Sequence, residues 1–259
     1  MSEIAQVGRV RELEQIIANC SICGGLGLTK PDICDPADPR FGKFVPCPAC
    51  GGAVRERREL RLMELLREPI SRYTALVGDL RACTFGNFDT QSDDRLVNVR
   101  NAVIRFVQEE VPWVYVYGPP GNGKTHLAAA AANTLVARGR AVLFATAPEF
   151  LAMIRDGFNA GQAEDLIGLC QRVPWLVVDD LGAERLTDWA AEVLFRVFNV
   201  RYTARAHTLV VSNVRPEGVP EPRLRSRFLD VAVCQVMPNS GEDYRQFEER
   251  GKADRGAIC

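Results

Sequence analysis

Histidine is almost missing from this chain: only His126 and His207 occur in 259 residues. No apolar run approaches the length that a membrane-spanning helix needs, and Met1-Ser2-Glu3-Ile4 begins no signal peptide. Charge of one sign is not in excess, with 32 Lys and Arg against 33 Asp and Glu. A chain so balanced does not bind nucleic acid by bulk attraction, so any basic surface must be local. Internal repeats and low-complexity tracts are also lacking. Together these absences predict a cytoplasmic protein of one to two domains that contacts no membrane. In a reducing compartment its nine cysteines are expected as thiols or metal ligands rather than disulfides.

What is present begins with a short amphipathic helix over residues 8–19, with Val10, Leu13, Ile16 and Ile17 at helical spacing. Cys20-Ser21-Ile22-Cys23-Gly24-Gly25 follows and is answered by Cys47-Pro48-Ala49-Cys50-Gly51-Gly52. Two C-x-x-C pairs followed by glycines are the usual way to build a tetrahedral four-cysteine zinc site. The glycines allow each knuckle to turn its backbone N–H groups toward the thiolates. With both histidines far away, Cys20, Cys23, Cys47 and Cys50 are the expected ligands, and Cys34 is a substitute or a spare thiol. The segment between the pairs is too polar to form a core alone, so a metal would supply the missing stability. A strongly charged helix over residues 53–68 closes this module, its arginines interleaved with glutamates as on a solvated face. The domain boundary is placed near residues 70–80, giving units of 1–75 and 76–259, with residues 72–88 read as a loop-like linker carrying aromatics.

The centre of the chain is Gly118-Pro119-Pro120-Gly121-Asn122-Gly123-Lys124-Thr125, which fits the phosphate-loop pattern G-x-x-x-x-G-K-[ST]. Trp113–Tyr117 before it reads as a buried strand, and His126-Leu127-Ala128 with its run of alanines reads as a helix. Backbone N–H groups and the positive end of the helix dipole then face the phosphates. Lys124 adds a point charge, and the Thr125 hydroxyl can hold Mg²⁺. Downstream, short apolar runs at 141–145, 175–178, 208–211 and 231–233 alternate with a helix that opens at Pro148-Glu149-Phe150-Leu151 and helices at 162–171 and 187–204. Residues 93–110 read as a further helix ahead of the loop. This alternation predicts an α/β fold with a parallel sheet covered on both faces.

Asp179-Asp180 ends the third of these strands, as in a Walker B element. In a parallel sheet both carboxylates emerge at the carboxyl edge beside the phosphate loop. Asp179 is assigned to the Mg²⁺ shell, and Asp180 to orienting or deprotonating the attacking water. Asn213, at the end of the next strand, is a candidate to position that water. Arg223-Leu224-Arg225-Ser226-Arg227 is a basic patch. A ring-forming ATPase needs an arginine supplied in trans, and Arg227 is assigned to it with Arg223 as the alternative.

These residues resemble a known family. The G-P-P-G-x-G-K-T-H-L-A form of 118–128, Asp179-Asp180-Leu181-Gly182-Ala183-Glu184, Leu186-Thr187-Asp188-Trp189, Arg201-Tyr202, Ser212-Asn213 and Ser226-Arg227 together look like the DnaC/DnaI/IstB branch of AAA+ ATPases. The likeness covers residues from about 80 to 245. It implies an ATPase that escorts the replicative helicase onto single-stranded DNA and self-associates through its ATPase domain with ATP. The sister group assists a transposase instead, and an adaptor switched by nucleotide with negligible turnover is the third reading. By resemblance, Lys124 and Thr125 take Walker A roles with Gly118–His126 around the nucleotide. Asp179 and Asp180 take Walker B, Asn213 sensor 1 and Arg227 the arginine finger. The zinc module looks similar to the helicase-contacting domains of some loaders, and its first knuckle to those of J-type chaperones. Two departures stand out. Asp180 occupies a position where many AAA+ enzymes have Glu, which implies slow, switch-like hydrolysis. The chain also leaves no room for a C-terminal helical lid, so a sensor 2 arginine is in doubt, with Arg245 as a substitute.

Overall fold

The structure is a computed structural model. It describes residues 3–32, 34, 35, 38, 40–57, 60, 78–90, 93–159, 161–182 and 187–241. The tail of the expected charged helix (58, 59 and 61–68), Ala183–Leu186 and Arg245 lie outside the described residues. The chain divides into two compact units, Met1–Arg67 and Glu68–Cys259.

In the first unit, α1 (Glu3–Ala18) leads into the first knuckle. A two-residue ladder joins β1 (Leu28–Thr29) to β2 (Val45–Pro46), and α2 (residues 51–57) follows the second knuckle. The apolar interior is small. Ile17 packs with Cys23, Cys47 and Cys50, so the sulfurs are themselves the core. Arg9 on α1 donates to Glu56 on α2 at 2.8 Å. Both side chains are more than a third exposed, so solvent screening leaves this pair little to contribute to stability.

The second unit is built on five parallel strands: β3 (Trp113–Tyr117), β4 (Val142–Thr146), β5 (Trp175–Leu181), β6 (His207–Ser212) and β7 (Cys234–Pro238). Their spatial order is β4-β5-β6-β3-β7. Side-chain alternation along β3 sorts the two faces. Val114 and Val116 pack with α3 (Asp94–Val107) and α4 (Lys124–Ala137). Trp113 and Tyr115 meet aromatics of α7 (Asp188–Ala204) and α8 (Pro222–Phe228), with Tyr115 and Phe228 ring centroids 4.9 Å apart. Ala128–Ala132 are fully buried, and their small side chains let α4 lie close on the sheet. The helices α5 (Ala147–Asn159) and α6 (Ala163–Arg172) fill the connection from β4 to β5.

Two expectations are corrected. The last strand is not Val231–Val233 but Cys234–Pro238. Asp230 captures the earlier residues in a turn: Ala232 N–H donates to its Oδ1 and Val233 N–H to its carbonyl, which leaves Val231 exposed. Nor is the stretch before α3 a plain linker. A 3₁₀ turn (Gly78–Ala82) and Phe88 pack on the core, and Asn133 on α4 donates to the Leu80 and Cys83 carbonyls at 2.8 and 2.9 Å.

Arg201, one of the quoted family residues, is fully buried at the opposite edge of the sheet from the phosphate loop. Its guanidinium donates to the carbonyls of Cys170, Val173 and His207 and to Thr208 Oγ1, tying the end of α6 to the start of β6. Its work is therefore structural. Each buried acceptor left without a donor costs about 1–3 kcal/mol, so Arg201→Met is expected to lower stability by roughly 3–5 kcal/mol. Urea unfolding measures it, and a loss under about 1 kcal/mol would contradict the role.

Candidate functional site

The phosphate loop occupies the turn from β3 to α4, at the carboxyl edge of the sheet. Gly118 is required by close approach: a Cβ there would overlap the carbonyl oxygen of Asn239 at the end of β7. Gly123 sits at φ +83, a left-handed conformation, and a Cβ would meet the ring of Phe88. Lys124 Nζ donates to the Pro119 carbonyl at 2.6 Å and to Asn122 Oδ1 at 3.1 Å. The loop faces a cavity of about 730 Å³, a volume in the range of small-molecule sites. Pro120, Gly121, Asn122, Gly123, Lys124, Thr125 and His126 line it from the loop, and Asp179, Asp180 and Asn213 from β5 and β6. Gly118 and Pro119 are not in the lining. Gly118 lies against Asn239, and Pro119 contributes its carbonyl to Lys124.

Sequence reading missed the opposite wall, formed by Leu80, Cys83, Asn87 and Phe88. His126 Nε2–H donates to the Thr84 carbonyl at 2.9 Å, and its ring lies 5.6 Å from that of Phe88. The first helical turn is thereby fastened to this wall. A flat apolar lining beside a phosphate loop suits a nucleobase. The aromatics Phe85 and Phe88 were the signal available in the sequence.

Asp179 is 3 % exposed. Burial pushes its carboxyl above the usual carboxylate range, opposed by hydrogen bonds from the Thr125 hydroxyl and the Asp180 N–H. A buried carboxylate sharing a hydroxyl beside a lysine is a hard-oxygen donor set that suits Mg²⁺. The next residue is strained. Asp180 sits at φ +55, uncommon for a residue with a side chain, and the β5–β6 register slips between Val178 and Leu181. The irregularity turns the Asp180 side chain into the cavity, where Asn213 Nδ2 donates to its Oδ1 at 2.7 Å. Asp180 and Asn213, read independently from sequence, are thus direct partners.

The arginine pair on α8 lies outside the cavity lining. Arg223 pairs with Glu221 at 2.6 Å and with Glu192 at 3.1 Å. Arg227 donates instead to Asn199 Oδ1 and to the Arg223 carbonyl, with its guanidinium over the rings of Phe195 and Tyr202. Among the described residues Arg227 forms no ion pair, so its charge stays available to an anion.

In the first unit, the Sγ atoms of Cys20, Cys23, Cys47 and Cys50 all lie within 4.8 Å of one another. Cys20 and Cys47 are 3.7 Å apart, and Cys23 and Cys50 are 3.4 Å apart. A tetrahedral zinc with Zn–S bonds of about 2.3 Å spaces its sulfurs by roughly 3.8 Å, so the donor set fits that ion. Gly27 N–H donates to Cys23 Sγ at 3.2 Å. The N–H groups of Cys23 and Ile22 hold the Cys20 thiol down to about 6, whereas burial pushes the Cys50 thiol up. Cys34 is exposed and stands apart from the four.

A parallel sheet of this order, with a phosphate loop after β3 and adjacent carboxylates on β5, defines an AAA+ ATP-binding protein. The chain belongs to the IstB-like ATP binding protein family, whose profile matches residues 53–250. Among curated relatives it is similar to the replicative helicase loader DnaC of Escherichia coli K12, 27 % identical over 57 % of this chain and 62 % of the relative. It is similar as well to the replicative helicase loader DnaI of Bacillus subtilis, 26 % identical over 68 % of this chain and 55 % of the relative. The matched region thus spans less than two thirds of either relative. The fold is that of AMPPCP-bound DnaA from Aquifex aeolicus, with a TM-score of 0.55 at 22 % identity, covering 69 % of this chain and 56 % of that one. Membership implies ATP binding. Among the described residues, no helix is long and apolar enough to cross a membrane.

Proposed function

We propose that the protein is an ATP-dependent helicase loader that delivers a replicative helicase to single-stranded DNA. The observation that carries the ATPase half is the Asp180–Asn213 hydrogen bond at the floor of the phosphate cavity. The similarity to DnaC and DnaI supports the loader half. In this reading Lys124 and the loop N–H groups bind the β- and γ-phosphates of the substrate ATP. Thr125 and Asp179 would hold Mg²⁺, which when bound would supply charge neutralisation at the phosphates. Asp180, aimed by Asn213, orients a water and takes its proton as oxygen attacks the γ-phosphorus and the bond to the β-phosphate oxygen breaks, giving ADP and phosphate. The shorter reach of Asp compared with Glu suits slow turnover and a long-lived ATP state. Arg227 completes the site of a neighbouring copy in an ATP-dependent assembly. Residues 1–75, with a zinc ion held by Cys20, Cys23, Cys47 and Cys50, contact the helicase, while 76–259 carry the ATPase.

Asn213→Ala is expected to leave ATP affinity nearly unchanged and lower turnover by about 100-fold, the usual effect of losing one aligned donor. Steady-state kinetics beside a binding titration tests it, and unchanged turnover would remove Asn213 from the mechanism. The loader reading is tested by ATP-dependent loading of the organism's own replicative helicase onto circular single-stranded DNA, scored by unwinding. Failure, together with ATP-bound filaments on duplex DNA, would favour the transposition-helper reading.

A further inference from the structure

Two buried asparagines fasten the phosphate loop to the end of β7. Asn122 Nδ2 donates to the Asn239 carbonyl at 2.6 Å, and Asn239 Nδ2 donates back to the Asn122 carbonyl at 3.1 Å. Asn239 also extends the β3–β7 ladder, since its N–H donates to the Tyr117 carbonyl at 2.7 Å. Its Oδ1 accepts from the Gly241 N–H at 3.4 Å. Every polar group of this fully buried residue is therefore used. The remaining side-chain atom of Asn122, Oδ1, accepts from Lys124 Nζ.

The orientation of the Asn122 amide follows from chemistry. An ammonium only donates and a carbonyl only accepts, so Oδ1 must face Lys124 and Nδ2 must face Asn239. Gly118 permits the arrangement, because its missing Cβ is what allows the Asn239 carbonyl against the loop. A continuous path thus runs from the end of the last strand, through the Asn239 main-chain carbonyl and the Asn122 side-chain amide, to the Lys124 ammonium, and the Asn239 side-chain amide braces it from the other side. Leaving either amide unmatched in this buried setting is costly, which makes the pair a rigid seat.

We propose that Asn122 and Asn239 are positioning residues for phosphoryl transfer, holding the phosphate loop in register with β7 and aiming Lys124; this rests on the ATPase reading above. A pair serving only stability would lower the melting temperature but leave the kinetics of the folded enzyme alone. A positioning pair changes the kinetics of fully folded enzyme.

The test uses the full chain with Asn239→Asp, Asn122→Ala and the double variant. Asn239→Asp is isosteric and keeps the acceptor for Gly241, yet has no donor for the Asn122 carbonyl. Melting curves first set a temperature at which each variant is folded, and ATP kinetics and ATP-analogue binding are measured there. Each single variant is expected to lose about 10- to 100-fold in kcat/KM, the scale of a misplacement near 1 Å. The double variant is expected to be no worse than the poorer single, because both changes break one unit. Values for folded variants within about twofold of the parent, or losses that multiply in the double variant, would overturn the proposal. If Asn239→Asp fails to fold, Asn122→Ala alone decides by the same criterion. A parent chain that neither binds nor hydrolyses ATP would overturn the ATPase reading and this inference together. A competent parent with unaffected variants would overturn this inference only.

Discussion

Arg227→Ala is expected to bind ATP as the parent does and to lose roughly three orders of magnitude in turnover, the effect of removing an arginine finger. The expectation rests on electrostatics. Arg223 is paired with two glutamates, so its charge is already neutralised locally. Among the described residues Arg227 has only neutral hydrogen-bond partners, Asn199 and a backbone carbonyl, and it is braced by the rings of Phe195 and Tyr202. A braced and uncompensated guanidinium is preorganised for an anion. On the proposed assembly, in which the arginine serves a neighbouring copy, mixing Arg227→Ala with Lys124→Ala is expected to restore part of the turnover. Interfaces in which the loop comes from the Arg227→Ala copy and the finger from the Lys124→Ala copy are then intact. Normal hydrolysis by Arg227→Ala alone would show that the assignment is wrong, and loss in Arg223→Ala instead would transfer it.

The second large effect concerns the four-cysteine cluster. Among the described residues of its unit, the apolar interior is small, with Leu13, Ile17 and Leu60 buried beside the sulfurs and their immediate neighbours. Without a cation four sulfurs would face one another in a space under 5 Å across. A structural zinc contributes about 10 kcal/mol or more to folding such a module. Chelation under reducing conditions is therefore expected to release one zinc per chain, expose four additional thiols to an aromatic disulfide reagent and melt the helix content of residues 1–57. Cys34, exposed and apart from the cluster, reacts before and after. Thiols that react at the same rate with and without chelator would contradict a metal-held module. Cys50→Ser is expected to mimic chelation, since a buried hydroxyl replaces the thiolate.

Most of the chemistry could be read from the chain because it is written in contiguous or evenly spaced residues. The phosphate loop, the paired carboxylates and the C-x-x-C knuckles each combine a backbone requirement with specific donors over a few positions. The fold class followed from apolar runs alternating with helical periods. What escaped lies in contacts between distant segments. Asn239 carries no local signal, and its partner Asn122 is 117 residues away. Phe88 looked like a residue of a linker because two aromatics set among glycine and polar residues establish neither a helical nor a strand period. The final strand was misplaced by a few residues because Val231–Val233 has strong strand preference, while the Asp230 turn overrides it. The left-handed backbone at Asp180 also left no trace in residue types.

One measurement bears most directly on the central claim: co-elution of the protein with its own replicative helicase, with ATP and without. The account predicts a complex that is retained with ATP, altered by its hydrolysis, and lost when the cysteine cluster is disrupted by Cys50→Ser while the ATPase unit stays folded. No complex in any nucleotide state would contradict the loader assignment and leave an ATPase acting on another partner.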